Sequence, residues 1–330
     1  MRKSSRPAAV LAALALAATG AVATAATASA DLVTRCVGTA GEVTVPGDLV
    51  VPSGRTCILE GTTVTGQVRV QSGANLVVTD GTLADRVVVA SDAYFDATNT
   101  AIGANLASNG AYGVFLEGAQ VGGHVVGRAG DDDPGFLYSM DTDVEGRIDA
   151  VDGAVYLDST RVGRFVSTEG TVSTDIIDST IARELTVADN AAGALICASE
   201  VDGNASYLGN TAVQVGAGDA LAECDEVNYF GADLTVSGNT GGVSVADNII
   251  RGDLTGADNN PAPVGVDNRV RGELGGQFTD LRAAGPSISA QQDARADVEG
   301  YRTGEEILTE RQDKREAAIS EGERIGPAGF

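Results

Sequence analysis

The sequence has no tryptophan, a single histidine (His124) and few aromatic residues, which make up 4% of its 330 positions. One histidine excludes a multi-histidine metal site and leaves a serine–histidine–aspartate triad with a single candidate base. Positive charge is also scarce, with 22 Lys and Arg against 46 Asp and Glu and a net charge of -24. Because phosphate backbones repel such a surface, the composition argues against DNA or RNA as a partner.

Long hydrophobic runs are missing after residue 30, so we expect no transmembrane segment in the mature chain. Residues 1–30 themselves are typical of a signal peptide. Three basic residues precede an alanine-rich apolar run over 8–18, and the triplet Ala-Ser-Ala at 28–30 offers a cleavage site before Asp31. The sequence therefore predicts a secreted, extracellular protein.

Four cysteines remain in the predicted mature chain: Cys36, Cys57, Cys197 and Cys224. An even number in an exported protein indicates two disulfides rather than free thiols. Four cysteines allow three pairings, and the spacing favours Cys36–Cys57 with Cys197–Cys224. No C-x-x-C motif or Cys/His grouping indicates a metal site.

A five-residue pattern recurs along the chain at a period close to twenty residues. Each copy has an apolar residue, any residue, a small residue, any residue and an aliphatic residue, as at 64–68. In three copies Arg86, Arg164 or Arg183 replaces the small residue. The copies start at Val45, Val64, Ala84, Ile102, Val121, Val144, Val162, Ile181, Val201, Phe230, Ile250 and Val270.

The residues around each copy are typical of short strands and turns. Thr, Ser or Asn nearly always stands two positions before the first apolar residue, and Gly, Asp or Asn often precedes it. A twenty-residue unit has no room for a crossover helix and buries its apolar face only by stacking on its copies. The sequence therefore predicts an all-β fold, a parallel β-solenoid of about twelve coils over 31–281.

Alternation along a strand places both apolar positions of each copy inside the solenoid. The Thr/Ser/Asn column has the same parity, so we expect it at an inner corner, bonded to turn backbone. The small middle residue is expected to face inward as well, with the three arginines as outward exceptions. An ice-binding face needs a regular outward row of threonine, and outward positions such as Leu83, Gln120 and Asp143 do not supply one.

The pattern stops after Leu281, and residues 282–330 form a linker followed by a charged tail. Helix is expected over about 305–319, where Glu310 and Lys314 form a favourable i,i+4 pair. The apolar stripe of this helix is thin. Two interpretations stay open, a solvated tail and a helical cap on the last coil.

Candidate ligands for a cation lie on one outward face near the C-terminus. Asp233, Asp253 and Glu273 fall on successive coils, and stacked carboxylates of this kind can hold Ca²⁺. The alternative is a surface ion-pair network with the flanking Arg251 and Arg271. A second acidic group, at 131–133, is either a cation site or part of an ordinary Asp-Pro-Gly turn. His124, at an outward position, is interpreted as a surface residue rather than a general base.

A loop about nine residues longer than the period lies around 209–226, and the second predicted disulfide would clamp it. Tyr207, Tyr229 and Phe230 lie beside this loop in the sequence. Since carbohydrate sites use aromatic rings and a fixed acid pair, these three residues are the candidate binding site.

The last two coils carry the segment ADNNPAP at 257–263, which runs into GVDNRVRG at 265–272. With the Cys36–Cys57 frame and the repeated coils, this text resembles uncharacterised secreted repeat proteins of actinobacteria. The resemblance implies a right-handed parallel β-helix and export, and it carries no catalytic residues to this chain.

The sequence leads to two hypotheses of function. The first is a secreted or cell-envelope scaffold, non-enzymatic, with a structural or binding role and extracellular polysaccharide as a candidate partner. The alternative is a polysaccharide lyase or glycoside hydrolase of the parallel β-helix type. No cofactor is implied by either the repeat or the resemblance.

Overall fold

The computed structural model describes residues 32–130, 135–283 and 289–330, which belong to one compact unit. The predicted signal peptide, the acidic turn at 131–133 and most of the predicted linker lie outside these residues. The unit is a parallel β-solenoid, as the sequence predicts, and it has about thirteen turns rather than the expected twelve. At about 4.8 Å per coil, thirteen stacked strands span about 58 Å.

Three parallel sheets form the walls, and all but the terminal coils add one strand to each. In the described residues, sheet A comprises Val33–Arg35, Asp48–Val51, Val68–Val70, Val87–Val89, Leu106–Asn109, Val125–Arg128, Ile148–Val151, Val166–Glu169, Leu185–Ala188, Ala205–Leu208, Leu234–Ser237, Leu254–Gly256 and Leu274–Gly276. Sheet B comprises Gly38–Ala40, Thr56–Glu60, Asn75–Thr79, Tyr94–Thr98, Gly113–Glu117, Phe136–Met140, Ala154–Asp158, Ser173–Ile177, Ala194–Cys197, Val213–Gly216 and Val243–Ala246. Sheet C comprises Thr44–Val45, Thr63–Val64, Thr82–Leu83, Ala101–Ile102, Gln120–Val121, Asp143–Val144, Arg161–Val162, Thr180–Ile181, Glu200–Val201, Asn228–Phe230, Asn248–Ile250 and Arg269–Val270.

The interior is a stack of aliphatic side chains from all three sheets. Val64, Ile102 and Val144, which open copies of the repeat, are at most 1% exposed. The closing residues of the copies pair along sheet A, as Leu106 does with Val125. Each coil therefore shields the next, which confirms the predicted inward orientation of both apolar positions.

One copy of the repeat starts a residue earlier than predicted. Leu83, not Ala84, pairs with Val64 and Ile102 in sheet C. Leu83 is fully buried and Thr82 is exposed, so the expectation of an outward Leu83 was wrong. The turn before it agrees with the shift, since Asp80 has a positive φ of 52°.

The five-residue pattern is a corner between sheets C and A rather than one continuous strand. The small middle residue lies at this corner, so the expectation that it faces the core was wrong. A Cβ on Gly66 would lie 2.5 Å from the carbonyl carbon of Gly47, so there is no room for a side chain at Gly66. Arg164 and Arg183 are exposed at the same corner, where their side chains leave the stack without a bulge.

The predicted Thr/Ser/Asn column forms a buried hydrogen-bond ladder at the corner that precedes sheet C. The Thr160 amide donates to Ser179 Oγ (3.0 Å), and the Ser199 amide donates to Asn228 Oδ1 (2.9 Å). Asn228 Nδ2 continues the ladder by donating to Asn248 Oδ1 (3.0 Å). These bonds satisfy turn backbone that the core would otherwise leave unpaired.

A second buried ladder runs along the corner between sheets A and B. Asn210 and Asn239 donate through both the backbone amide and Nδ2 to the side-chain oxygen of the asparagine on the following coil. Asn259 closes the ladder on Gln277 Oε1 (3.0 Å). The sequence analysis missed this column, although its asparagines recur at nearly the same period.

Two helices follow the solenoid in the described residues, α1 (Ser289–Ala296) and α2 (Gly304–Ile325). Neither is long and apolar enough to cross a membrane. The Thr303 hydroxyl caps α2, and Glu306 completes a capping box. The predicted helix is therefore present and longer than expected.

The structure places α2 against the first coils, along sheet B, rather than over the last coil. Beyond α2, the Thr39 amide donates to Gly326 O (3.0 Å) and the Ala328 amide donates to Thr39 O (2.8 Å). The C-terminus thus covers the edge of the first strand of sheet B. Open strand edges recruit other chains, so this contact protects the start of the stack. At the other end, the fully buried Phe278 closes the core.

Candidate functional site

The predicted acids lie together on successive coils, at the outer corner between sheets C and A. Asp233 Oδ1 accepts a hydrogen bond from the Asp253 amide (2.9 Å), and Asp253 Oδ1 accepts one from the Glu273 amide (2.7 Å). Asn204 takes the same role one coil earlier, with Oδ1 3.2 Å from the Asp233 amide. The carboxylates of Asp233 and Asp253 therefore join neighbouring corners.

The described residues show neither of the two arrangements expected for these acids, an ion-pair network or a metal site. No ion pair there joins Arg251 or Arg271 to the three acids. No group of three or more His, Cys, Asp or Glu side chains in the same part of the chain is placed to hold a metal ion.

His124 occupies the corner position that Asn204 and Asp233 occupy elsewhere. Its amide donates to Asn105 Oδ1 (2.8 Å), and its Nδ1 accepts from the Arg147 amide (3.3 Å). Burial lowers the pKa of His124, and the nearby Arg147 and Arg164 lower it further. A neutral imidazole is required because Nδ1 must accept a hydrogen bond.

The three aromatic candidates are not brought together on a surface. Tyr207 and Phe230 are fully buried in the aliphatic core, so neither presents a ring face to a ligand. Tyr229 is half-buried, at an outward position of sheet C. Strand parity decides this, since 207 and 230 are inward positions and 229 is an outward one.

Both predicted disulfides are present, Cys36–Cys57 and Cys197–Cys224, with Cα–Cα distances of 5.6 and 6.0 Å. The second holds the long loop, as predicted. The buried Gln214 side chain organises the same loop: its Nε2 donates to Ala222 O (2.9 Å) and its Oε1 accepts from the Leu221 amide (2.6 Å). The loop is therefore a packed structural element.

Aromatic rings concentrate on the outer face of sheet B, where the sequence analysis placed no site. Phe136 and Tyr138 stack with ring centroids 4.3 Å apart, and Phe115 meets Tyr138 edge to face at 5.8 Å. Ile307 and Ala318 of α2 pack on the same face. The face forms a second hydrophobic core, with Ile58, Val77, Tyr94, Phe115, Phe136, Tyr138, Ala154, Val172 and Ala192.

A fully buried carboxylate, Asp96, lies at the centre of this face. Arg311 of α2 donates to it twice, from Nε (2.9 Å) and Nη2 (3.1 Å), and Arg315 also donates to it. Tyr94 contributes its hydroxyl hydrogen at 2.8 Å. Burial and the adjacent Asp96 carboxylate raise the pKa of Tyr94 well above its usual value. The phenol therefore stays a donor at every physiological pH.

Arg311 connects this carboxylate to its surroundings. Its Nη1 lies 2.6 Å from Glu117 Oε2, its Nη2 lies 2.9 Å from Thr98 Oγ1, and its guanidinium lies over the Phe115 ring at 3.9 Å. Arg295 of the shorter helix pairs with Asp175 further along the same face. Arginines of the C-terminal segment thus neutralise the buried acids of sheet B.

An uncharged row of hydroxyl side chains marks the outer face of sheet A over five coils. The register places each member directly beside the next, and the Thr235 and Thr255 hydroxyl oxygens are 3.5 Å apart. All five side chains are half-buried. The row, here called the hydroxyl row, consists of Ser167, Thr186, Ser206, Thr235 and Thr255.

No family model, no curated protein and no solved structure matches this chain.

Proposed function

We propose that the protein is a secreted or cell-envelope scaffold that binds polysaccharide without cleaving it. The observation that carries the proposal is the closure of sheet B. Its rings and acids, the groups a carbohydrate-cleaving site would use, are packed beneath the chain's own C-terminal segment. The corner acids Asp233 and Asp253 are engaged in hydrogen bonds to the next coil. The two disulfides support an oxidising, extracellular environment.

The hydroxyl row is the proposed contact surface. Its members repeat at about 4.8 Å along the stack, so one flat polymer contacts several at once and weak bonds add up. The chain as a whole has a net charge of -24, which repels anionic polymers. A neutral polysaccharide therefore fits this face better than a uronic-acid polymer.

Co-sedimentation with cellulose, chitin and an insoluble β-glucan tests the proposal. Thr186→Glu/Thr235→Glu removes two hydroxyl contacts, worth about 1 kcal/mol each, so we expect roughly thirtyfold weaker binding. Thr180→Glu, the same change on sheet C, is the matched control and is expected to bind like the natural protein. Equal binding by all three proteins, or binding to none of the polymers, would contradict the proposal.

The second candidate is a polysaccharide lyase or glycoside hydrolase that uses the acids Asp233, Asp253 and Glu273, which lie on successive coils of one outer corner. The same polymers and a panel of soluble acidic polysaccharides are incubated with the protein and Ca²⁺, and chain length is measured. We expect no shortening. Cleavage that Asp253→Ala abolishes would replace the scaffold by this enzyme.

A further inference from the structure

The helix α2 packs on the outer face of sheet B, and the surface beneath it is here called the groove. The helix α2 runs along the stack: Gly304 lies beside Tyr156 and Gly322 beside Ile58. These positions are five coils apart in sheet B, or about 24 Å, and a helix covers that distance in about 16 residues. The 22 residues of α2 are long enough to span it.

The contact between α2 and the groove is polar for its length. Four residues of α2 are buried: Ile307, Arg311, Ala318 and Gly322. Of these, only Ile307 and Ala318 have an apolar side chain. A Cβ on Gly322 would lie 2.6 Å from Ile58 Cγ1. The short distance between α2 and sheet B therefore depends on glycine at this position. Polar interfaces of this kind resemble exchangeable contacts more than a permanent core.

Charge decides which helix the groove accepts. Asp96 is fully buried and Glu117 lies beside it, and both are bonded to arginine. Arg311 and Arg315 stand one helical turn apart, so both reach Asp96 from the same face. A helix without this pair would leave the Asp96 carboxylate buried and unpaired, which is strongly unfavourable.

We propose that this groove also takes α2 of a second copy of the chain, in exchange for its own. The second copy presents the same arginine pair, so every contact made within one chain is available between two. The chain's own α2 has the advantage of a high effective concentration. Exchange is therefore favoured where copies are crowded or where the internal contact is weakened. This inference does not depend on polysaccharide binding.

Complementary variants of the full chain test the exchange. One carries Asp96→Asn/Glu117→Gln, with an altered groove and a natural α2. The other carries Arg311→Gln/Arg315→Gln, with a natural groove and an altered α2. We expect each alone to be monomeric and their mixture to form a 1:1 heterodimer by native mass spectrometry. A chain with all four substitutions is the control and is expected to pair with neither.

A labelled peptide of residues 304–325 gives a second measurement that needs only one variant. It is expected to bind Arg311→Gln/Arg315→Gln at least about tenfold more tightly than it binds the natural chain, whose groove is occupied. The same peptide with both arginines changed to glutamine is expected not to bind. Circular dichroism verifies that each variant keeps its β structure. A monomeric mixture of folded variants, or no difference between the two peptides, would overturn the proposal.

Discussion

The two faces of sheet B come from the same strands but are covered in different ways. The inner face carries aliphatic columns in which similar residues meet from coil to coil, as Leu59 and Val78 do. The outer face changes at nearly every coil, and its central carboxylate, Asp96, finds its partner Arg311 215 residues later. The inner face is thus stabilised by repetition, and the outer face by one distant segment. The central outer column reads Ile58, Val77, Asp96, Phe115, Tyr138, Tyr156 and Asp175.

The largest effect is expected on the inner face. Leu116→Ala removes a fully buried side chain and leaves a cavity between coils, so the free energy of unfolding should fall by about 2–5 kcal/mol. Leu208→Ala, at a position of sheet A that is 38% exposed, is the matched control and should change stability by about 0.5 kcal/mol or less. Urea denaturation measures both. Equal losses would mean that the interior does not carry the stability.

The disulfides provide a second comparison, because Cys36–Cys57 lies on the inner side and Cys197–Cys224 on the outer side. Removing either pair by Cys→Ala substitution should lower the free energy of unfolding by about 2–4 kcal/mol, since the closed loops are of similar length. Only the loss of Cys197–Cys224 should make the loop at 217–226 sensitive to protease. Cleavage of this loop at the same rate in the Cys36→Ala/Cys57→Ala variant would contradict the separation of the two faces.

A smaller difference in stability is expected between a substitution in the buried asparagine ladder and one at the exposed outer corner. Asn239→Ala leaves the Asn210 amide and the Tyr207 carbonyl without their partner, at a cost of about 1–3 kcal/mol for a buried group. Asn204→Ala, at the exposed corner, loses a bond that water replaces, so a change of about 0.5 kcal/mol or less is expected. Thermal unfolding of both variants measures the difference, and the reverse order would contradict the assignment of inside and outside.

The smallest effect is the pH dependence of His124. The pKa of His124 is lower in the folded protein than in the unfolded chain. Its contribution to stability is therefore complete at a pH above the unfolded pKa, and it is lost as the pH falls through the folded pKa. The difference in melting temperature between pH 7.5 and pH 5 should therefore be larger in the natural protein than in His124→Asn. Since the side chain is largely solvated, we expect about 1 °C. An equal difference in melting temperature in the natural protein and in His124→Asn would contradict this prediction, because it would mean that a protonated His124 does not destabilise the corner.

The inner face could be predicted from the sequence because its chemistry repeats. Val64, Ile102 and Val144 occupy equivalent positions, and each confirms the others. The error at Leu83 has a local cause, since the adjacent Ala84 is also apolar and either register fits the pattern. The middle residue was misplaced because strand parity was carried through a corner, where alternation does not hold.

The outer face of sheet B could not be predicted in the same way. The outer column carries aspartate at Asp96 and again at Asp175, and no local pattern links Asp96 to Arg311 or Arg315. The aromatic candidates at 207 and 230 were chosen by proximity in the sequence, although the repeat itself assigns both positions to the interior. By contrast, the second asparagine ladder carried a readable signal in Asn190, Asn210, Asn239 and Asn259.

Hydrogen exchange in Asp96→Asn tests the central claim, that the stack holds itself together while α2 depends on its contacts with the outer face of sheet B, of which Asp96 is the centre. We predict rapid amide exchange over 304–325, and unchanged protection in two strands of sheet A, Val87–Val89 and Val166–Glu169. Loss of protection in α2 and these strands together, or in neither, would contradict the account.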